Sequence, residues 1–192
     1  MRYQRLTSKK SKAAGLIALY LLLVLLSVWI GFQIDSVQEN LTGLGWKNGQ
    51  LFLMGIYCLL ACEYNGWLSW KVLSQAGYPR QGRLSGLMWA LIALGALIPW
   101  KDPGLEATLD LHSLVCTAAI IANGLIWLWV LAYGFANPSF RSICQLVLGC
   151  LILSVAIFAA SGCVSYLCEA AYVLSNGLVL LFAVIKKADD FS

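Results

Sequence analysis

Among the ionisable side chains within apolar runs that are long enough to cross a membrane, three stand out: Glu63, His112 and Glu169. A charged or strongly polar group inside a bilayer is costly, so each of them marks a functional hypothesis and requires a partner. Counting about 1.5 Å per residue places His112 and Glu169 in the outer leaflet and Glu63 beyond the midplane, toward the cytoplasm. A carboxylate and an imidazole in one leaflet can relay protons or bind a polar headgroup.

Helical spacing extends each of these residues into a stripe of polar or large side chains. We expect the stripes to face the interior of a helix bundle, because lipid offers an amide or a carboxylate no hydrogen-bond partner. In the apolar run Thr108–Phe135 the stripe consists of His112, Cys116, Asn123 and Trp127. In the run Ser165–Ile185 it consists of Glu169, Tyr172 and Asn176, and in the run Gly49–Val72 of Glu63, Trp67 and Trp70.

The predicted ligand-binding residues combine members of two stripes with a neighbouring acid. They are His112, Glu169, Asp110, Asn123, Tyr172 and Asn176. For the two asparagines, hydrogen bonding between helices is the favoured interpretation. Asp110 is expected to cap the N-terminus of the helix that carries His112. For His112 and Glu169, a packing role and a functional role both stay open.

The stretch Trp100–His112, WKDPGLEATLDLH, connects the third and fourth runs and holds three of the nine carboxylates of the chain. Its Pro103-Gly104 pair predicts a turn on local grounds alone. The acids of the two larger outer loops are Asp35 and Glu39 in the first of these loops and Asp102 and Glu106 in this one. They either accumulate there because acids contribute little to topology, or they attract a cation or a cationic headgroup.

The chain as a whole has the composition of a membrane protein: 60% of its 192 residues are hydrophobic, 11% are charged and the mean hydropathy is +0.78. A soluble domain carries about 25% charged residues, and a membrane-spanning helix needs about 20 mainly apolar ones. We therefore predict an all-α, multi-pass membrane protein with six transmembrane helices in a single domain, residues 1–192. The six runs are Ala13–Phe32, Gly49–Val72, Leu84–Trp100, Thr108–Phe135, Ser142–Ser161 and Ser165–Ile185.

Lysine and arginine residues are distributed unequally between the loops. Eleven of the thirteen fall on one side of the predicted helices, and only Lys47 and Lys101 fall on the other. Short loops rich in Lys and Arg stay in the cytoplasm, so we expect both termini there, in a multi-pass protein of the cell membrane. The first run is too long for the apolar core of a signal peptide and lacks a small-residue cleavage site, which predicts an uncleaved helix.

Several common chemistries have no support in the sequence. One histidine cannot supply two imidazole ligands to a haem and disfavours a zinc hydrolase, and no phosphate-binding loop, nucleotide fingerprint or serine-hydrolase motif is present. The seven cysteines form no C-x-x-C pair. Cys163 and Cys168 are near the outer face, but their spacing at a helix entry is awkward for a disulfide. We predict no metal, no cofactor and no nucleic-acid partner.

Four segments together resemble the Frag/DRAM/Sfk group of small six-helix membrane proteins and its bacterial relatives. They are the acidic first outer loop IDSVQENLTGLG (Ile34–Gly45), the segment NGQLFLMGIY (Asn48–Tyr57), the third run ending in GALIP (Gly95–Pro99), and the outer loop leading into Leu111-His112-Ser113. The resemblance covers roughly residues 30–135. The first loop departs from the Ser-Glu-Leu-Gly pattern expected of bacterial relatives and has Gln38-Glu39-Asn40-Leu41 instead. The resemblance implies lipid handling, with His112 and the outer acids at a headgroup-facing mouth.

The sequence therefore favours a protein that binds or handles a lipid or another amphiphile through an outer-leaflet polar mouth, with membrane lipids as partners. One alternative is the substrate-binding membrane subunit of a small-solute transporter, which would dock on a protein partner through Ala14 and Ala18 of the first run. Another is a membrane hydrolase or acyltransferase with His112 as general base, which requires a nucleophile or a metal within hydrogen-bond reach of the imidazole. A purely structural role is the third.

The third helix also carries a series of small residues four apart, Gly82, Gly86 and Ala90, which begins just before the third run. Such a series permits two membrane helices to approach closely. We predict a packing role for it, either within one chain or between the copies of a homo-oligomer.

Overall fold

The computed structural model describes residues 2–46, 48–98, 111–133 and 138–190. Within these ranges the protein has seven helices and no strand, and six of the helices are long. They are α1 (Arg2–Gly31), α2 (Leu41–Trp46), α3 (Leu51–Gln75), α4 (Pro79–Ala96), α5 (Leu111–Tyr133), α6 (Pro138–Ser161) and α7 (Tyr166–Asp190). Asp110 and its predicted capping role lie outside the described residues.

Five of the long helices contain segments that are long and apolar enough to cross a membrane. These segments are Ser11–Gly31, Leu51–Gln75, Leu111–Tyr133, Phe140–Ser161 and Tyr166–Lys186. Their 21 to 25 residues suit a hydrocarbon core of about 30 Å at about 1.5 Å per residue. The prediction of an all-helical membrane protein is confirmed to this extent.

The sixth long helix, α4, is not among these five segments. It has 18 residues, and its first turns carry Arg80, Gln81 and Arg83, which lower its hydropathy. A membrane crossing by α4 stays a prediction.

The helices pack as neighbours in a bundle in which α7 contacts α1, α3 and α6. α3 also packs against α1 and α4, and α5 packs against α4 and α6. Large apolar side chains fill the interior, among them Met54, Leu68, Trp127 and Leu180. The outward surface is apolar as well, as expected of helices whose solvent is lipid.

The backbones of α3 and α4 approach closely at glycine residues. A Cβ on Gly82 would lie 2.9 Å from the carbonyl oxygen of Trp70, and a Cβ on Gly66 would lie 3.6 Å from the Cα of Gly86. At Gly82 only a residue without a side chain allows the two helices this close, whereas the distance at Gly66 and Gly86 is an ordinary van der Waals contact. The predicted packing role of Gly82 and Gly86 is therefore confirmed within one chain, whereas Ala90 lies on the surface.

The prediction that Glu63, Trp67 and Trp70 face the interior is wrong, because all three are exposed on the outside of α3. The neighbouring face of the helix packs inward instead. It carries Leu68, which joins the main core, and Asn65, whose side-chain amide donates to the Val173 carbonyl on α7 at 3.3 Å. A helix turned to give Asn65 these partners directs Glu63 away from the bundle.

Candidate functional site

His112 lies in the first turn of α5 and is only 6% exposed. Its Nδ1 donates to the Gly95 carbonyl near the end of α4, at 2.7 Å, and its Nε2 lies 3.2 Å from Oγ1 of Thr42 in α2. Because a carbonyl oxygen only accepts, Nδ1 carries a hydrogen, and in the neutral ring Nε2 accepts from the Thr42 hydroxyl. The imidazole therefore links three helices, with both nitrogens held by the protein.

Glu169 lies in the first turn of α7 and also holds α2. The N–H of Leu41, at the start of α2, donates to Oε2 of Glu169 at 2.8 Å. Leu41 precedes Thr42, so Glu169 and His112 bind adjacent residues of this short helix. The connection before α2 docks on the same place, since the Tyr166 N–H donates to the Glu39 carbonyl at 2.6 Å. The structure thus brings the predicted pair to one end of the bundle, which we call the α2 end.

Asn123 and Tyr172 belong to a polar chain inside the bundle. Oγ of Ser85 donates to Oδ1 of Asn123 at 2.6 Å, and Nδ2 of Asn123 donates to the Tyr172 hydroxyl at 2.9 Å. The ring of Trp89 stacks on that of Tyr172, with centroids 5.3 Å apart and planes inclined by 14°. These contacts cross-link α4, α5 and α7.

Asn176 pairs with Asn65 between α7 and α3. Nδ2 of Asn176 donates to Oδ1 of Asn65 at 2.9 Å, and Nδ2 of Asn65 donates to the Ala61 carbonyl at 2.9 Å. Hydrogen bonding between helices is therefore confirmed for both predicted asparagines. The predicted inward direction of the α5 and α7 stripes is confirmed as well, and every predicted site residue in the described ranges has a protein partner.

The thiols are not joined to one another. All seven cysteines are free; the Cys168 sulfur lies 3.0 Å from Oγ of Ser154, and the Cys163 thiol donates to the Val37 carbonyl at 3.3 Å. Among the described residues, no group of three or more His, Cys, Asp and Glu side chains is arranged to hold a metal ion.

A groove with a volume of about 640 Å³ lies between α3 and α4 on the outside of the bundle. The glycines at which the two helices touch line it, together with the exposed stripe of Glu63, Trp67 and Trp70 from α3. Arg83 of α4 is its second charged lining residue, and the remaining lining side chains are apolar.

Glu63 occupies the middle of α3, twelve residues from Leu51 and twelve from Gln75. α3 continues past the end predicted at Val72 to Gln75, and the predicted depth of Glu63, beyond the midplane toward the cytoplasm, stays a prediction. The side chain is exposed, and its carboxylate has no hydrogen-bond or ion-pair partner in the part of the chain that the structure describes. It is therefore a carboxylate available to a ligand within the membrane-spanning part of the helix.

The groove is a candidate functional surface that the sequence did not predict. The spacing of Glu63, Trp67 and Trp70 marks a common helix face, but it does not tell whether protein or lipid covers that face. In the sequence, nothing distinguishes Arg83 from the other basic residues that follow α3.

The fold and the groove define a class: a helical, multi-pass membrane protein with an outward, mainly apolar groove that contains a central carboxylate. No known protein family, curated protein or solved structure matches the chain. The resemblance to the Frag/DRAM/Sfk group therefore stays a prediction.

Proposed function

We propose that this protein binds an amphiphile from the bilayer, a lipid or a lipid-like small molecule, in the groove between α3 and α4. The observation that carries the proposal is the Glu63 carboxylate, which opens onto the groove at the middle of a membrane helix and has no hydrogen-bond or ion-pair partner among the described residues. A charged residue at the centre of a membrane helix costs about 2.5–3.5 kcal/mol on insertion scales. A polar group of a bound ligand offsets that cost.

The shape and lining of the groove support the same proposal. Pockets for small molecules have volumes of about 300–1,000 Å³ and combine apolar walls with a few polar groups. The groove between α3 and α4, at about 640 Å³, falls within this range, and Glu63 and Arg83 are its charged lining residues. Trp67 and Trp70 add large aromatic surfaces on one side, which suits an apolar ligand body.

The proposed ligand class is the one expected from the sequence, but the proposed site is the groove between α3 and α4 instead of the outer-leaflet polar mouth. The predicted site residues within the described ranges are already hydrogen-bonded within the protein: His112, Glu169, Asn123, Tyr172 and Asn176. They therefore leave less hydrogen-bonding capacity for a ligand than Glu63 does.

We also propose that both termini are cytoplasmic, in the cell membrane, because eleven of the thirteen Lys and Arg residues lie on that side of six crossings. The α2 end is then external. Protease accessibility of a C-terminal epitope tag in intact cells tests this orientation: a protected tag supports it, and a tag cleaved without lysis contradicts it.

Fluorescence quenching by phosphatidylcholine with brominated acyl chains tests the amphiphile site. The variants Trp67→Phe and Trp70→Phe identify the part of the quenched fluorescence that comes from these two residues. We expect the quenching of this part to decrease at least twofold in Ala90→Phe. Ala90 lines the groove and is exposed, so the new ring fills the groove without entering the helix interface. Ala156→Phe is the matched control, since Ala156 is exposed on α6. Equal quenching in both variants would contradict the proposed site.

A second candidate function, acyl transfer, rests on the contact between Thr42 and His112. A hydroxyl 3.2 Å from an imidazole nitrogen, with the other nitrogen oriented by a carbonyl, has the geometry of a nucleophile and its general base. Both side chains are buried, which favours the structural interpretation. Mass spectrometry of the protein after incubation with p-nitrophenyl acetate decides the matter: an acetyl adduct on Thr42, absent in His112→Ala, would support acyl transfer.

A further inference from the structure

The chemistry of the groove points to the charge of its ligand, and this inference rests on the proposed amphiphile site. Among the described residues, Glu63 and Arg83 are the two charged ones that line the groove. Their separation along the helices decides whether a ligand meets both charges together or meets mainly one of them.

The register of the two helices gives that separation. Gly66 lies opposite Gly86, and Trp70 lies opposite Gly82, so numbers rise along α3 as they fall along α4. Arg83 is therefore level with the residue that precedes Trp70, six positions from Glu63. At a rise of about 1.5 Å per residue, the two levels are about 9 Å apart.

Arg83 lies close to the end of the groove near the turn between α3 and α4. It is the fifth residue of α4, and a long arginine stem in that position can extend its guanidinium away from the apolar middle of the groove. The Glu63 carboxylate is left as the charge that a ligand meets in the middle of the groove.

Aromatic surface lies beside this carboxylate. Trp67 and Trp70 follow Glu63 at four and seven positions, on the same exposed face of α3. The faces of indole rings attract cations, and tryptophan does so more strongly than tyrosine or phenylalanine. A carboxylate with two indoles in an apolar groove is a combination that recognises an organic cation.

Other occupants fit the groove less well. A bare metal ion such as Ca²⁺ needs six to eight oxygen ligands, whereas Glu63 is the one carboxylate that lines the groove in the part of the chain that the structure describes. An anionic amphiphile would place like charge against Glu63. A second copy docked by a two-fold axis along the membrane normal would bring the two Glu63 side chains to the same depth.

We infer that the groove binds a lipophilic organic cation, an amine or quaternary ammonium group on an apolar body, with Glu63 as its counter-ion and Trp67 and Trp70 against its positive charge. The apolar body lies along the small residues and leucines of α3 and α4, and enters from the bilayer.

Two isosteric ions test this inference: tetraphenylphosphonium, a cation, and tetraphenylborate, an anion of nearly the same shape. Binding to the detergent-solubilised full-length protein is measured by equilibrium dialysis, and specific binding is the part that Ala90→Phe removes. We expect the protein to bind the cation at least tenfold more tightly than the anion. Dodecyltrimethylammonium should displace the bound cation, and the uncharged dodecyl maltoside should not.

Variants of the charged residues locate the selectivity. Glu63→Gln should weaken tetraphenylphosphonium binding at least tenfold and abolish the preference over tetraphenylborate, whereas Glu63→Asp should retain that preference. Trp67→Leu should weaken cation binding several-fold and leave tetraphenylborate unchanged. Arg80→Gln is the control for loss of a charge on the same helix, because Arg80 is exposed and does not line the groove, and it should leave cation binding unchanged. Circular dichroism and size-exclusion chromatography establish that each variant is folded.

The results separate the two proposals. Brominated lipid that quenches Trp67 and Trp70, together with equal binding of the two isosteric ions, would overturn the cation inference and leave the amphiphile site standing. Cation binding that survives Glu63→Gln would also overturn the inference. Absence of both quenching and ion binding at the groove would overturn both proposals.

Discussion

Glu63 and Asn65 are two residues apart on α3 and lie on opposite sides of it: the Glu63 side chain opens onto the groove, and Asn65 is hydrogen-bonded to Asn176 across the bundle. Two residues turn an α-helix by about 200°. The same helix therefore separates a polar group that holds the bundle together from one that has no hydrogen-bond or ion-pair partner within the described ranges of the chain. Each of them can be altered without touching the other.

The amide pair of Asn65 and Asn176 should stabilise the bundle. We expect Asn65→Ala, Asn176→Ala and the double variant to give a coupling free energy of about 0.6 kcal/mol, the typical value for hydrogen bonds between membrane helices. Asn65→Ala should be the more destabilising single change, because it also removes the bonds to the Ala61 and Val173 carbonyls. Reversible unfolding in mixed micelles of increasing dodecyl sulfate content measures these values, and strictly additive effects would contradict the pairing.

His112 should act as a link between helices. His112→Ala removes the bonds to Gly95 and Thr42, so it should destabilise the protein more than Thr42→Val, which removes one of them. Loss of a buried hydrogen-bond partner costs about 1–3 kcal/mol. Hydrogen exchange should accelerate in α2 in both variants. If His112→Ala instead lost bound lipid while α2 stayed protected, the outer-mouth function expected from the sequence would be supported.

Glu169 should stabilise α2 by accepting the Leu41 N–H at 2.8 Å. Glutamine keeps an oxygen acceptor at this position, so Glu169→Gln should lose much less stability than Glu169→Ala, which leaves the N–H without that acceptor, at a cost of about 1–3 kcal/mol. Exchange of the Leu41 amide hydrogen reports the contact directly. Equal loss of protection in the two variants would show that the carboxylate charge, and not the hydrogen bond, holds α2.

The long helices were predictable because apolar runs mark them, but their polar ends were not. α1 begins at Arg2 and not near Ala13, since lysine and arginine are good helix formers that a hydropathy pattern does not detect. α2 was not predicted at all. Its sequence LTGLGW contains two glycines in six residues, which disfavour a helix, and it depends on contacts with His112 and Glu169 from distant parts of the chain.

The inward stripes on α5 and α7 were predictable because buried amides and carboxylates need partners. The α3 stripe was assigned to the wrong side for a related reason. In a membrane protein, the lipid-facing and the buried surfaces of a helix are both apolar, so periodicity defines a face but not its surroundings. Only the partners of Asn65 on α7 reveal which side of α3 is buried.

Gly82 and Gly86, one turn apart on α4, should respond differently to the same added methyl group. A Cβ at Gly82 would lie 2.9 Å from the Trp70 carbonyl oxygen and 3.2 Å from its Cα. These are backbone atoms that cannot rotate away, so Gly82→Ala must push α3 and α4 apart, and overpacking of this kind costs about 1–3 kcal/mol.

A Cβ at Gly86 would meet the Gly66 carbonyl oxygen at 3.6 Å, an ordinary contact. Gly86→Ala should therefore leave stability unchanged or raise it by about 0.5–1 kcal/mol, because alanine loses less backbone freedom than glycine. Thermal unfolding in detergent compares the two variants. Equal melting temperatures would show that α3 and α4 do not touch at Trp70, and the register that separates Glu63 from Arg83 in the groove would then be wrong.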